Sequence, residues 1–302
     1  MNALSFRHRS VLCTPATATG RFARAARVGA DIGLVDLEDS VPAVSKACAR
    51  ASAARFFAAD TADGAGRAIR INAPTSRDGL RDLLAVAAYA PRPDIVLVPK
   101  TESRADLALV AAVLAETGPP VQLWALVETP RGLAALARIA DHPQVTALCF
   151  GAADYARATG CARTWEPLLF ARSQIVTAAA ARGIVALDSP FFDLPDIDGL
   201  RAEAHAARVL GFGGKIAVHP TQVPVINTVF SPTAEELAHA RTVAEAADAG
   251  GDRIAVVDGQ MVGPPFFAAA RALLASFAEP AATSAPDSTS RDTTTADTGT
   301  AR

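Results

Sequence analysis

The chain has 302 residues, half of them apolar and 20% charged, with a formal net charge of −2. That length holds two average domains or one large barrel, and the apolar share supplies a sizeable core. Scattered basic residues and a pI near 6.2 exclude a surface built to neutralise a nucleic-acid backbone.

No run of about 18 apolar residues suggests a membrane span, and the N-terminal MNALSFRHRS lacks the apolar core of a signal peptide. Cys13, Cys48, Cys149 and Cys161 are far apart, without CxxC or zinc-ligand spacing. They read as free thiols in a reducing compartment, so a cytoplasmic protein is expected.

From residue 10 the chain alternates short apolar runs that end in polar residues with Ala/Leu-rich helical segments. The first strand is SVLCTP (10–15), followed by a helix over 20–28. The second, DIGLVDLED (31–39), enters apolar and leaves with Asp36, Glu38 and Asp39; a helix over 44–58 follows. RAIRIN (67–72) is paired with a helix over 78–90, DIVLVPK (94–100) with 103–117, and VQLWALVET (121–129) with 131–141. VTALCFGAAD (145–154), IVALDSPF (184–191) and GKIAVHP (214–220) complete the strands, with helices at 168–182, 196–210 and 221–229. Ser103 and Asp196 stand where helices begin, and Gly118, Gly183 and Gly211 where they stop.

Eight strands alternating with eight helices imply a closed parallel (β/α)8 TIM barrel over residues 1–230. An open doubly wound sheet is the alternative, but no GxGxxG or GxxxxGK[ST] follows any strand. Residues 231–278 read as a C-terminal helical extension, with helices at 233–249 and 266–277 around RIAVVDGQMVGPP. The remaining 279–302, rich in Thr, Ala, Ser and Asp, is expected to be a disordered tail.

In such barrels the active site lies at the C-terminal ends of the strands. Here those ends carry Asp36, Glu38, Asp39, Arg70, Asn72, Lys100, Glu128, Asp154, Asp188 and His219. An acid after a strand is often only a helix cap, and Lys100 could be a structural ion-pair partner. Five consecutive strands ending in ionisable groups nevertheless favour a site. Glu128 and Asp154, ending adjacent strands, should repel unless a cation joins them or one is protonated. All-oxygen ligation without a Cys or His cluster favours Mg²⁺.

The motifs RSVLCTP, LVDLEDSV, IRIN, LVPKTES, LVETPRGL, LCFGAADYA, LLFARSQIV, GFGGKIAVHPTQV and VDGQMVGPP, from Arg9 to Leu274, resemble those of a known family. It is the citrate lyase β-subunit-like group of the HpcH/HpaI aldolase and citrate lyase superfamily. The resemblance implies a (β/α)8 barrel holding Mg²⁺ through Glu128 and Asp154, with Arg70 on substrate oxygens. It implies reversible cleavage of a 3-hydroxyacyl thioester, such as a malyl, citramalyl or citryl thioester of coenzyme A or an acyl carrier protein. It also implies a homo-oligomer, trimeric or hexameric, in which Asp258 serves a neighbouring active site. The sequence departs from the family at TPAT, with Ala16 where glycine is common, and at the loop CARTWEPL.

Retro-Claisen cleavage needs a base, for which Asp258 and Asp36 are the candidates; Arg9 and Lys46 are the basic residues that could help hold coenzyme A. On sequence alone Asp258-Gly259 reads equally as a simple turn. The competing activities are a thioester hydrolase on the same site and a class II aldolase acting on free hydroxy-keto acids. The latter usually carries an early histidine, and His8 lacks that context.

Overall fold

The computed structural model describes residues 8–25, 27–58, 65–251 and 253–277; the expected tail at 279–302 lies outside them. Contacts divide the chain into two units, through Ser231 and from Pro232 onward.

The first unit is a closed barrel of eight parallel strands in sequential order. The strands are β1 (Ser10–Pro15), β2 (Ile32–Asp36), β3 (Gly66–Arg70), β4 (Ile95–Val98), β5 (Gln122–Val127), β6 (Val145–Phe150), β7 (Val185–Asp188) and β8 (Gly214–Ala217). Around them run α1 (Phe22–Ala25), α2 (Lys46–Ala58), α3 (Arg77–Ala87), α4 (Arg104–Ala115), α5 (Pro130–Ala134), α6 (Leu136–Ala140), α7 (Ala152–Thr159), α8 (Trp165–Arg182), α9 (Ile197–Leu210) and α10 (Gln222–Val229). The closed order excludes the open doubly wound sheet.

Strands of a parallel sheet covered on both faces read as continuous apolar runs, and β4 shows why. In IVLV, Ile95 and Leu97 enter the barrel interior with Leu34, Trp124, Leu126 and Ile216. Val96 and Val98 instead join the shell beneath the helices. This period of two governs the whole sheet.

Local signals set the helix boundaries. Ser103 and Asp106 form a capping box on α4, and Thr129 caps α5 with Pro130 at its first position. Gly183 and Gly211 terminate α8 and α9 in the left-handed conformation. Two departures from the sequence reading stand out. The 131–141 helix is broken at Ala135, whose φ of −100° and ψ of 3° leave the α region. Residues 151–154, read as the end of strand six, instead open α7, because Gly151 turns the chain immediately after Phe150.

The second unit holds α11 (Ala234–Gly250), a hairpin of β9 (Ala255–Val257) and β10 (Gln260–Val262), and α12 (Pro264–Phe277). Its own core gathers Val243, Ala247, Val257, Val262 and Phe267. No helix among the described residues is long and apolar enough to cross a membrane.

Candidate active site

Strand parity selects the side chains that reach the mouth of the barrel. Ile32 and Leu34 point inward, so Asp36 does too, two residues on. Ala68 leads likewise to Arg70, and Trp124 and Leu126 to Glu128. On α7, Asp154 sits in the first turn. Arg70, Glu128, Asp154 and Asp39 line one cavity of about 340 Å³, whose walls include Leu97 and Phe150. Glycine is required at 151: a Cβ there would lie 2.4 Å from Glu128 Oε2 and 2.5 Å from its Cβ.

Asp36, fully buried, takes Arg70 Nε on Oδ1 at 2.6 Å and Nη2 on Oδ2 at 2.8 Å, a bidentate pair. Its oxygens also accept from the Glu38 and Ser40 amides and the Ser40 hydroxyl. Burial would raise its pKa, but the Arg70 guanidinium and these hydrogen bonds hold it below the usual carboxylate value. Such an acid is a poor proton acceptor at neutral pH. The expectation that Asp36 could be the base is therefore corrected: it anchors Arg70.

Lys100 stands among the remaining acids. Its ammonium donates to Glu38 Oε1 and lies 3.9 Å from both Glu128 Oε1 and Asp154 Oδ2. Its main-chain N–H donates to Glu128 Oε1 at 2.8 Å. Burial, followed by the charge of Glu38, pushes the Glu128 carboxyl up to about 8. Burial also raises Glu38 despite Arg70 and Lys100 beside it. Glu38 Oε2 lies 3.1 Å from Arg70 Nη1 yet, among the described residues, is buried without a hydrogen bond.

Asp36, Glu38, Glu128 and Asp154 thus crowd Arg70 and Lys100 in the mouth, with Arg157 flanking Asp154 from the exposed side at 2.9 Å. A divalent cation would offset that surplus, and Glu128 and Asp154 offer it hard oxygen donors. No group of three or more His, Cys, Asp or Glu among the described residues forms a protein-only cage. Two carboxylates, with water and substrate completing the shell, suit Mg²⁺.

Two other expected residues lie elsewhere. Arg9 precedes β1 at the opposite, N-terminal rim, where Asp31 takes it at 2.7 and 2.9 Å and Ser231 Oγ at 2.8 Å. It cannot serve a thioester at the mouth. Lys46 donates to the carbonyls of Leu37 and Glu38 and to Asn72 Oδ1, each at 2.7 Å, which uses all three ammonium hydrogens. It braces the loop after β2 and leaves no donor for a phosphate.

Asp188 follows inward-pointing Leu187 by one residue, so it faces the helix layer. There it pairs with Arg172 at 2.9 Å and Lys215 at 2.6 Å, all three buried. Asp258 and Gly259 form the two-residue turn between β9 and β10, with φ of 49° and 78°. The Asp258 side chain is 72% exposed and meets His239 Nδ1 at 3.1 Å.

Sequence reading passed over a second cleft, of about 240 Å³, above the ends of β1 and β8. It is lined by Arg21, Arg24 and His219, and shares Cys13 and Val218 with the larger cavity. The arginine spacing in GRFAR was the available signal.

Comparison with known proteins gives a consistent set. A family described as HpcH/HpaI aldolase/citrate lyase matches residues 9–220. The chain is 37% identical over 286 residues to a citrate lyase subunit beta-like protein of Deinococcus radiodurans, covering 91% of this chain and 99% of that one. It is 35% identical over 272 residues to a (3S)-malyl-CoA thioesterase of Cereibacter sphaeroides, covering 88% and 93%. Among solved structures, the CitE protein of Mycobacterium tuberculosis, in complex with magnesium, acetoacetate and coenzyme A, is 33% identical. It aligns with a TM-score of 0.74 over 89% of this chain and 97% of that chain.

Proposed function

The chain belongs to the HpcH/HpaI aldolase/citrate lyase family, as a citrate lyase β-subunit-like member, and from that premise we propose that it is a Mg²⁺-dependent carbon–carbon lyase. Its substrate is a 3-hydroxyacyl thioester of the malyl, citramalyl or citryl type, cleaved to a keto acid and an acyl thioester or formed from them. The observation that carries this reading is the convergence of Arg70, Glu128 and Asp154 on one largely apolar cavity.

Cleavage removes the hydroxyl proton and breaks the bond between the carbinol carbon and the carbon next to the thioester. The electron pair passes to the thioester as an enolate, which is then protonated. Mg²⁺ bound by Glu128 and Asp154 would acidify the substrate hydroxyl as a Lewis acid. Arg70 stays protonated, and Asp36 fixes its plane. Its Nη1, which Asp36 leaves to Glu38 Oε2 at 3.1 Å, is the edge that would turn to a substrate carboxylate or enolate oxygen. The walls of Leu97, Leu126 and Phe150 exclude water and strengthen these interactions.

With Asp36 saturated by Arg70, Asp258 is the remaining candidate base, supplied by an adjoining copy in a trimer or hexamer. Its exposed place at the hairpin tip supports this. So does the outer face of the hairpin, where cross-strand partners Val256 and Met261 are 73% and 70% exposed. For the carrier, Arg21 and Arg24 replace Arg9 and Lys46. Neither makes an ion pair among the described residues, and their cleft adjoins the mouth where a thioester tail would leave it.

The second reading is a thioester hydrolase, favoured by the named function of the Cereibacter relative. An aldolase on free hydroxy-keto acids is disfavoured because His8 packs against Trp124, 5.9 Å between ring centroids, at the end of the barrel away from the mouth. The deciding experiment incubates malyl-, methylmalyl-, citramalyl- and citryl-thioesters with enzyme and Mg²⁺. Keto-acid release supports the lyase; free hydroxy acid and thiol without keto acid overturn it in favour of hydrolysis.

A further inference from the structure

Lys100 is held more tightly than a surface counter-ion would be. It occupies the left-handed region with φ of 49°, a conformation that is strained for a residue bearing a Cβ. The segment around it is fixed. The Thr101 hydroxyl donates to the Val98 carbonyl at 2.8 Å, and the Thr101 amide to the Leu126 carbonyl at 3.2 Å. Gly132 packs so closely on the Thr101 carbonyl that a Cβ would lie 2.5 Å away. This backbone sends the main-chain N–H to Glu128 and the ammonium to Glu38 at once. The ammonium is equally far, 3.9 Å, from the nearest oxygens of Glu128 and Asp154.

The consequence concerns which carboxylates a cation can use. Glu38, Glu128 and Asp154 all lie around one ammonium, and a third carboxylate drawn onto a divalent ion would take one more of its octahedral positions. Each position so taken is one fewer for the substrate's hydroxyl and carboxylate oxygens and for water. We propose that Lys100 sets the composition of the metal site: by engaging Glu38 it withholds a third carboxylate and keeps coordination positions open for substrate. The inference rests on the proposed assignment of Glu128 and Asp154 as metal ligands. Lys100 is a positioning residue in this scheme and takes no proton from substrate.

Removing the ammonium relieves repulsion on the incoming cation and releases Glu38 Oε1, while Oε2 stays beside Arg70 Nη1, and both effects tighten binding. Calorimetric titration with MgCl₂ alone, without substrate, therefore reads the proposal directly. Lys100→Met should bind Mg²⁺ at least tenfold more tightly than the wild type, whereas Lys100→Arg, which keeps the charge, should stay within about threefold. Mn²⁺ bound to Lys100→Met should retain fewer exchangeable waters by proton relaxation. In the double variant Lys100→Met/Glu38→Gln the affinity should return towards the wild-type value.

Equal or weaker Mg²⁺ binding by folded Lys100→Met, while wild-type binding is lost in Glu128→Gln, overturns the role of Lys100 and leaves the metal assignment standing. Loss of Mg²⁺ binding in neither Glu128→Gln nor an Asp154→Asn variant overturns the metal assignment and this inference with it. If Lys100→Met does not fold, Lys100→Gln carries the same expectation.

Discussion

Glu128→Gln separates the electrostatics of the mouth from its shape. The amide keeps the side chain's size and can still accept the Lys100 N–H, but it carries no charge. Glu128 is 3% exposed, and burial and then the charge of Glu38 lift its pKa from 4.5 to about 8. A folded carboxyl that holds its proton more tightly than the unfolded one favours folding at low pH. That contribution is complete below about pH 4.5 and is lost as pH rises to about 8. The full gap converts to at most about 5 kcal/mol at 1.36 kcal/mol per pH unit. The effective dielectric of a water-accessible mouth, higher than that of a dry interior, reduces it to about 2–4 kcal/mol, or roughly 5–15 °C in Tm for a unit of this size.

The assay is thermal unfolding of metal-free wild type and Glu128→Gln between pH 5 and 8.5. The wild-type Tm should fall relative to the variant's across that range, with the gap opening mostly above pH 6. Adding Mg²⁺ at pH 8 should raise the wild-type Tm and leave the variant's unchanged. Parallel curves, with the two Tm values keeping a constant separation, would refute the claim that Glu128 is held against its charge.

Arg70→Lys keeps the charge but loses the fork that grips Asp36, and should lower kcat/KM by about 2–3 kcal/mol of transition-state stabilisation; unchanged kcat/KM would make Arg70 a structural brace. Asp258→Asn and Glu128→Gln should each be inactive alone and regain part of the activity when co-assembled, since some sites then combine intact residues from two copies. Mixed oligomers that stay inactive despite demonstrated subunit exchange exclude the shared site. Lys215→Met strands Asp188 and Glu203 beside Arg172 in the helix layer, and should cost about 3–5 kcal/mol in urea unfolding; a loss below about 1 kcal/mol would show the network is dispensable.

The sequence by itself determined the barrel and most of the cast of the mouth. Alternating apolar runs and capped helices repeat eight times, and each strand's exit is marked by a change to polar residues. The same parity could have removed Asp188 in advance, because it stands one residue from Leu187, whose apolar side chain enters the barrel. What only the tertiary structure decided is which charges meet. Arg9 and Lys46 are basic residues like Arg70 and Lys100, and nothing local distinguishes them. Closure of the barrel puts Asp31 against Arg9 at the far rim and seals Lys46 under the β2 loop. It also spends Asp36 on Arg70 and brings residues 38, 128 and 154 around Lys100. Periodicity is a property of neighbouring residues, whereas the pairs Asp36–Arg70 and Glu38–Lys100 join residues 34 and 62 positions apart and form only when the strands close into one ring.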